Sequence, residues 1–116
     1  MISVASNSRI FVYTESTDLR KSFNGLSGLV SEHFDVDLLS GHLFLFFNRR
    51  QDSVKILSWD RDGLIIVYKR LEAGTFQCGA FTSETSTVEI DQVKLSLLLS
   101  GIDIASARQR KRYNVA

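Results

Sequence analysis

Three apolar segments between residues 42 and 71, separated by two short polar loops, constrain the fold more than any other part of this sequence. The segments are rich in β-branched and aromatic residues, and apolar runs of this length between polar loops are typical of antiparallel strands. The second loop ends in Asp62–Gly63, where glycine can adopt the positive φ of a tight hairpin turn. The stretch therefore predicts a three-stranded antiparallel meander over about residues 42–71.

An amphipathic helix is predicted before the meander, over about residues 18–34. Ser16 or Thr17 is expected to supply the hydroxyl that caps its first turn. Gly25 and Gly28 lie three residues apart, which predicts close packing of this helix against the sheet. The apolar residues recur at intervals of three or four, a spacing that places them on one side of a helix: Leu19, Phe23, Leu26, Val30 and Phe34.

A second helix is predicted after the meander, over about residues 91–100. Asp91 is a suitable N-cap, and the residues that follow it are so apolar that we expect this helix to be largely buried. Short strands are expected at residues 9–13 and 75–78, and residues 87–90 form either a strand or an entry segment to the second helix. These elements together predict an α+β fold, with a mostly antiparallel sheet packed against two helices.

Length and composition favour one soluble, cytoplasmic domain. The chain has 116 residues, 44% of them hydrophobic and 23% charged, which is ordinary for a globular domain. Cys78 is the only cysteine, so an internal disulfide is impossible and a reducing compartment is favoured. We see no secretion signal and no apolar run near the roughly 18 residues of a membrane span. We expect one domain over residues 1–107 and a basic tail over residues 108–116.

The sequence predicts no catalytic residue, no metal site and no cofactor. His33 and His42 stand outside any zinc-ligand pattern. The glycine-rich motifs that cradle nucleotide phosphates do not occur in the sequence. Several carboxylates lie in predicted turns or connectors, which aspartate favours because its side chain bonds nearby backbone: Asp35, Asp37, Asp60 and Asp62.

Clusters of basic residues are the stronger functional signal, although the formal net charge is only +1. Cations within reach of one nucleic-acid backbone bind its phosphates, with an affinity that falls as salt rises. Trp59 and Tyr68 could stack on a base, although aromatic residues in strands more often belong to a core. The candidate residues for binding nucleic acid or a partner are Arg20, Lys21, Arg49, Arg50, Lys55, Arg61, Lys69, Arg70, Arg108, Arg110, Lys111 and Arg112.

Two other interpretations of these cations stay open. Hairpin tips and tails are often charged for solubility, especially along the edges of sheets. The basic tail could instead dock on an acidic protein partner. Composition and pattern do not decide among these three interpretations.

Six segments of the chain, in fixed order, resemble a family of proteins from mobile elements. Residues 17–26, TDLRKSFNGL, are similar to the family pattern TD-(M/L)-RK-x-F-(D/N)-GL. Further matching segments are SGHLFLF at 40–46, KILSWD at 55–60, DGL at 62–64, YKRLEAGTF at 68–76 and LLLSGID at 97–103. The family is the TnpB-type second-frame accessory protein of bacterial insertion sequences of the IS66 type, which differs from the RNA-guided nuclease also called TnpB. The resemblance covers nearly the whole chain and is weakest over residues 77–89.

The resemblance implies a role in DNA transposition beside a separate, larger transposase that carries the catalytic carboxylates. It supplies no catalytic residue, and it does not separate function from fold for matched residues such as Asp18, Lys55 and Trp59. We therefore expect a non-catalytic accessory factor that binds DNA, with the element ends as the candidate site, or the transposase, or both. A homo-oligomer is possible through a sheet edge or the leucine-rich helix.

Two alternatives to this function remain. One is a protein-interaction module that recruits the transposase without touching DNA. The other is a small metal-dependent nuclease that would use Asp18 or Asp60.

Overall fold

The computed structural model describes residues 7–78, 85–100, 102–103 and 108–109. Two α-helices, one short 3₁₀ turn at Leu38–Ser40 and seven strands are assigned within these residues. In chain order the helices and strands are β1 Ile10–Tyr13, α1 Phe23–His33, β2 Leu43–Phe47, β3 Ser53–Asp60, β4 Gly63–Arg70, β5 Thr87–Ile90, α2 Gln92–Ser100, β6 Ile102–Asp103 and β7 Arg108–Gln109.

Five strands form the main sheet, in the order β4-β3-β2-β1-β5. β1 and β2 are parallel, and α1 lies between them in the chain. The other three strand pairs are antiparallel, and β2, β3 and β4 form the predicted meander. The predicted α+β fold with a mostly antiparallel sheet is therefore confirmed. β6 and β7 form a separate two-stranded ladder.

Each face of the main sheet packs against one helix, because successive side chains of a strand point to opposite faces. Ile10 and Val12 belong to the apolar cluster that includes Leu98 of α2. Phe11, between them, belongs to the cluster that includes Leu26 of α1. All five residues of β2 are buried because this strand is covered on both sides. We call the two sides of the sheet the α1 face and the α2 face.

The first helix begins five residues later than the sequence predicts, and the predicted caps are wrong. α1 starts at Phe23, and its N-cap is Ser22. Residues 18–21 instead form a turn, in which the backbone N–H of Arg20 donates to Asp18 Oδ1 at 3.0 Å. Leu19 is buried from within this turn. The apolar spacing therefore extends past the helix because a turn residue also reaches the core.

Two expectations about glycine are also wrong. A Cβ on Gly28 would meet nothing within 4 Å, and one on Gly25 would meet Lys21 of its own segment, so neither glycine packs closely against the sheet. In the hairpin between β3 and β4 the positive φ belongs to Arg61, at 49°, and not to Gly63. Arginine adopts this region at some steric cost.

The second helix is not largely buried, contrary to the prediction, because only Leu95 and Leu98 of α2 are buried and Val93 is 66% exposed.

The segment after the meander contains one further wrong prediction and two confirmed ones. Residues 75–78 are not a strand. Phe76 is buried there, and its backbone N–H donates to the Gln51 carbonyl at 2.7 Å. Residues 87–90 are strand β5, and α2 begins after Asp91, whose Oδ1 accepts from the Lys94 backbone N–H at 2.8 Å.

The end of the chain is described in part. Arg108–Gln109 pairs with Ile102–Asp103. The predicted boundary at residue 107, between a domain and a basic tail, stays a prediction. Arg110, Lys111 and Arg112 lie outside the described residues. Within the described part of the chain, no helix has the length and apolar character needed to cross a membrane.

Candidate functional site

The loop between β2 and β3 presents two arginines from an ordered backbone. Asn48 Oδ1 accepts hydrogen bonds from the backbone N–H groups of Asp52 and Ser53, both at 3.1 Å. The Asn48 side-chain amide donates to Asp52 Oδ1 at 2.6 Å, and this bond is the main cause that lowers the pKa of Asp52. Arg49 and Arg50 are exposed at the tip of this loop. Their positions are therefore set by bonds that use neither guanidinium.

These two arginines share a shallow cavity with Arg20 and Tyr68. The cavity has a volume of about 540 Å³, and we call it the arginine cleft. Its other lining residues are Ser16, Thr17, Asp18, Leu19 and Asn48. Three guanidinium groups and one carboxylate thus line one opening, so the lining carries a positive net charge.

The carboxylate in the cleft is paired with one of the arginines. Asp18 accepts from Arg20 Nε at 3.0 Å and from Arg20 Nη2 at 2.6 Å. The hydrogen bonds from Arg20 lower the pKa of Asp18 to about 2, so this carboxylate is ionised at neutral pH. The Arg20 side chain remains 91% exposed despite the pairing. Asp18 therefore orients Arg20 and cancels part of the charge of the cleft.

A buried hydroxyl lies in the wall of the cleft. Thr17 is 5% exposed, and its Oγ1 has no hydrogen-bond partner among the described residues. Its backbone N–H donates to the Phe47 carbonyl at 2.8 Å, which fixes the turn against the end of β2. A buried hydroxyl without a partner costs stability. The sequence suggested only a helix cap here, and no sequence pattern marks such a site.

Lys55 and Tyr68 extend the basic surface from the cleft along the sheet. The two residues are opposite each other on β3 and β4, and Lys55 is also opposite Phe46, which belongs to the α1-side core. The Lys55 ammonium lies 5.1 Å from the centroid of the Tyr68 ring, and it donates to the Lys21 carbonyl at 2.9 Å. Tyr68 is 56% exposed. Both side chains are therefore on the α1 face, beside the cleft.

Arg70 is also on the α1 face, at the end of β4 that adjoins the β2–β3 loop with Arg49 and Arg50, which we call the arginine loop. It pairs with Ser53 in the β3–β4 register, and the next residue, Leu71, donates its N–H to the Asp52 carbonyl at 2.7 Å. Arg70 forms an exposed ion pair with Glu72 at 3.3 Å. We define the basic face as the cations that the structure groups around the cleft and Tyr68. Lys55 is half-buried and the others are exposed: Arg20, Lys21, Arg49, Arg50, Lys55 and Arg70.

The structure separates two other predicted cations from this group. Lys69 is opposite Val54 of the α2-side core, and its ammonium donates to the Leu99 carbonyl near the end of α2 at 2.9 Å. Arg61 lies in the hairpin turn at the other end of β3, roughly 23 Å from the arginine loop at about 3.3 Å per strand residue. Arg108 is described only as part of the backbone of β7.

Carboxylates and histidines do not converge in the described part of the chain. Asp18 lines the cleft, whereas Asp60 ends β3 at the opposite end of the sheet, so the two lie much farther apart than the ~4 Å that separates two catalytic metals. No group of three or more His, Cys, Asp or Glu side chains able to hold a metal occurs among the described residues. His42 has a local role, since its Nδ1 accepts from the Arg9 backbone N–H at 2.9 Å.

Comparison with known proteins places these features in a family. Residues 8–109 match the model of the family described as IS66 Orf2 like protein. Two proteins of Sinorhizobium fredii are similar along most of their length, and both carry the description uncharacterized protein. One, y4jC, is 30% identical over 95% of this chain and 92% of its own. The other, y4hO, is 34% identical over 89% of this chain and 88% of its own.

No solved structure matches the chain. The family match spans every element of the main sheet, both helices and the whole basic face. The matched range ends at residue 109, within the basic end of the chain. The protein belongs to the IS66 Orf2-like family, whose members are associated with transposition of IS66-type insertion sequences.

Proposed function

We propose that this protein is a non-catalytic accessory factor of transposition that binds DNA through the basic face. The observation that carries the proposal is the convergence of three elements on one opening. The turn at residues 18–21, the β2–β3 loop and the end of β4 bring Arg20, Arg49, Arg50 and Tyr68 together, although 48 positions separate Arg20 from Tyr68. Lys55 and Arg70 continue the same surface.

The chemistry of this surface suits a phosphate backbone. Arginine donates in a planar fork that matches phosphate oxygens, and lysine acts as a point charge. Arg49 and Arg50 have no ion pair among the described residues, and their loop holds its shape through Asn48. The guanidinium groups are thus available to a ligand without breaking the bonds that order the loop. Each phosphate that they neutralise releases counterions and adds salt-dependent affinity.

In this proposal the protein binds DNA of its insertion sequence, at or near the element ends, and the separate transposase performs the chemistry. The transposase itself is the second proposed partner. The wide separation of Asp18 and Asp60 gives the nuclease alternative no geometric support.

Fluorescence anisotropy with a labelled duplex that carries the terminal repeat of the element tests the proposal. We expect log affinity to fall linearly with log salt, with a slope of about −0.9 for each phosphate contacted. The double variant Arg49→Glu/Arg50→Glu should bind at least about tenfold more weakly and show a shallower slope. The matched control Arg61→Glu/Lys94→Glu changes net charge equally but alters the far hairpin and α2, and it should bind like the unmodified protein.

Equal losses in the two double variants would show that only net charge matters, and would remove the basic face from the proposal. Absence of DNA binding even at low salt, together with co-purification with the transposase, would establish the protein-interaction module instead. A scrambled duplex in the same titration distinguishes sequence readout from backbone binding.

A further inference from the structure

Tyr68 is the most exposed aromatic residue on the described surface. Before Tyr68, the α1 face of β4 is apolar, and Leu64 and Ile66 are partly buried there against the core. Tyr68 lies beyond these two residues on β4 and is one of the lining residues of the arginine cleft. A large ring that is 56% exposed in this position contributes little to the core. Its position is better explained by contact with a ligand.

The surroundings of the ring define what that ligand would be. The Lys55 ammonium lies 5.1 Å from the ring centroid, close enough for a cation–π contact that holds the side chain in one orientation. Three guanidinium groups line the same cleft as the ring. A planar, apolar surface next to concentrated positive charge matches a nucleotide, which carries a flat base beside an anionic phosphate.

We infer that Tyr68 and the arginine cleft form a subsite for one unpaired nucleotide, with the base stacked on Tyr68 and its phosphate bound by Arg20, Arg49 and Arg50. This inference rests on the proposed DNA binding and specifies its substrate as a strand with unpaired bases. In a duplex each base is stacked between its neighbours and cannot also lie on a protein ring. Single strands offer free base faces, which exposed aromatic residues on a sheet bind with little sequence preference.

The position of the subsite at one end of the sheet supports a single strand over a long duplex contact. Three arginines line one opening, and Lys55 and Arg70 are the cations that continue from it on the same face of the sheet. Lys69, which would widen the surface for a duplex, is on the α2 face and bonds the end of α2. The protein would therefore engage a frayed or unwound DNA end better than an intact duplex.

The test compares three labelled DNA probes with the full protein at the same salt: a single strand, the corresponding blunt duplex, and the duplex with a short single-stranded overhang. The variants are Tyr68→Leu, which removes the ring, and Tyr68→Phe, which retains it. Ile65→Leu is the matched control, because Ile65 is an exposed residue of β4 on the opposite, α2 face. Trp59 fluorescence and urea unfolding confirm that each variant is folded.

Tyr68→Leu should lower affinity for the single strand and the overhang by roughly five- to hundredfold, the range expected for loss of one stacked base. Affinity for the blunt duplex should change less than about twofold, and Tyr68→Phe and Ile65→Leu should bind like the unmodified protein. A 2-aminopurine placed in the overhang should be quenched on binding, and Tyr68→Leu should abolish the quenching.

Equal affinity for single strand and blunt duplex in the unmodified protein would overturn the inference and leave the proposed DNA binding intact. The inference is also overturned if Tyr68→Leu lowers the affinity for all three probes by the same factor, or if it leaves the quenching of 2-aminopurine unchanged. Absence of binding to any DNA would overturn both the inference and the proposed DNA binding.

Discussion

Lys69 and Tyr68 are neighbours in the chain, yet the structure gives them different environments. Tyr68 is on the α1 face, exposed beside the arginine cleft. Lys69 is on the α2 face, and its ammonium bonds the Leu99 carbonyl. Lys69 thus bonds the carbonyl end of α2, where a positive charge suits the helix, whereas Lys55 on the α1 face bonds the Lys21 carbonyl beside the arginine cleft. A run of basic residues in a strand therefore cannot be treated as one surface.

The largest expected effect comes from reversing one lysine on each face. Lys55→Glu should weaken duplex binding by about tenfold and reduce the salt slope by about one, because it removes one phosphate contact. Lys69→Glu makes the same change of charge on the α2 face. It should leave affinity nearly unchanged and lower the free energy of unfolding by about 1 kcal/mol, because it places a negative charge at the carbonyl end of α2.

Anisotropy and urea unfolding of both variants measure the two quantities. An equal loss of affinity in the two variants would break the comparison between the faces.

A smaller effect is expected from the two carboxylates whose pKa values are lowered by an arginine. Asp18 is in the cleft with a pKa of about 2, and Glu89 pairs with Arg9 at the β1–β5 edge, where the bond from Arg9 lowers its pKa. A carboxylate with a lowered folded pKa stabilises the protein above its unfolded pKa of about 4, and this contribution is lost as pH falls through the folded value. Asp18→Asn should reduce the loss of stability between about pH 4 and pH 2, and Glu89→Gln should reduce the loss of stability as pH falls below about 4.

The two variants should differ in DNA binding at neutral pH. Asp18→Asn removes the negative charge of the cleft and should raise affinity by about two- to fivefold, since one repulsive charge near the phosphate is lost. Glu89→Gln makes the same change of net charge away from the cleft and should have no effect. A gain of equal size in both would show that net charge, and not the cleft, governs binding.

The smallest effects concern two buried hydroxyls near the arginine loop. Thr17 Oγ1 has no partner among the described residues, so Thr17→Val should raise the free energy of unfolding by about 1 kcal/mol. Ser53 Oγ donates to Asp52 Oδ1 at 3.2 Å, so Ser53→Ala should lower it by about 1 kcal/mol. Urea unfolding measures whether each variant is more or less stable than the unmodified protein. If Thr17→Val instead weakens DNA binding more than about fivefold, its hydroxyl takes part in ligand binding.

The elements that local rules describe were predicted well. The meander, α2 with its Asp91 cap and β5 follow from apolar runs, turn residues and a capping side chain. The start of α1 was not predicted, because Leu19 continues the helical spacing while the Asp18 side chain holds a turn. Phe76 resembled a strand residue, yet it is buried from a loop by packing on Phe47 with ring centroids 5.5 Å apart.

The sequence predicts which cations belong to the candidate site, but it does not predict how they are arranged in space. Arg49 and Arg50 were recognised because they occupy a loop between two clear strands. That Arg20 would join them could not be predicted, since it depends on the position of the turn before α1 against the end of β2. Thr17 had no recognisable signal as part of the cleft wall.

The sequence by itself determined the strands of the meander, the second helix, the family and the set of available cations, because each depends on residues close together in the chain or on a conserved order of segments. Tertiary structure decided that β1 lies parallel to β2 and that each face is covered by one helix. It also decided which cations face outward together. Strand alternation sets only which residues share a side, whereas long-range packing sets what lies on that side, and so Lys55 lies beside Tyr68 and the turn before α1 while Lys69 lies at the end of α2.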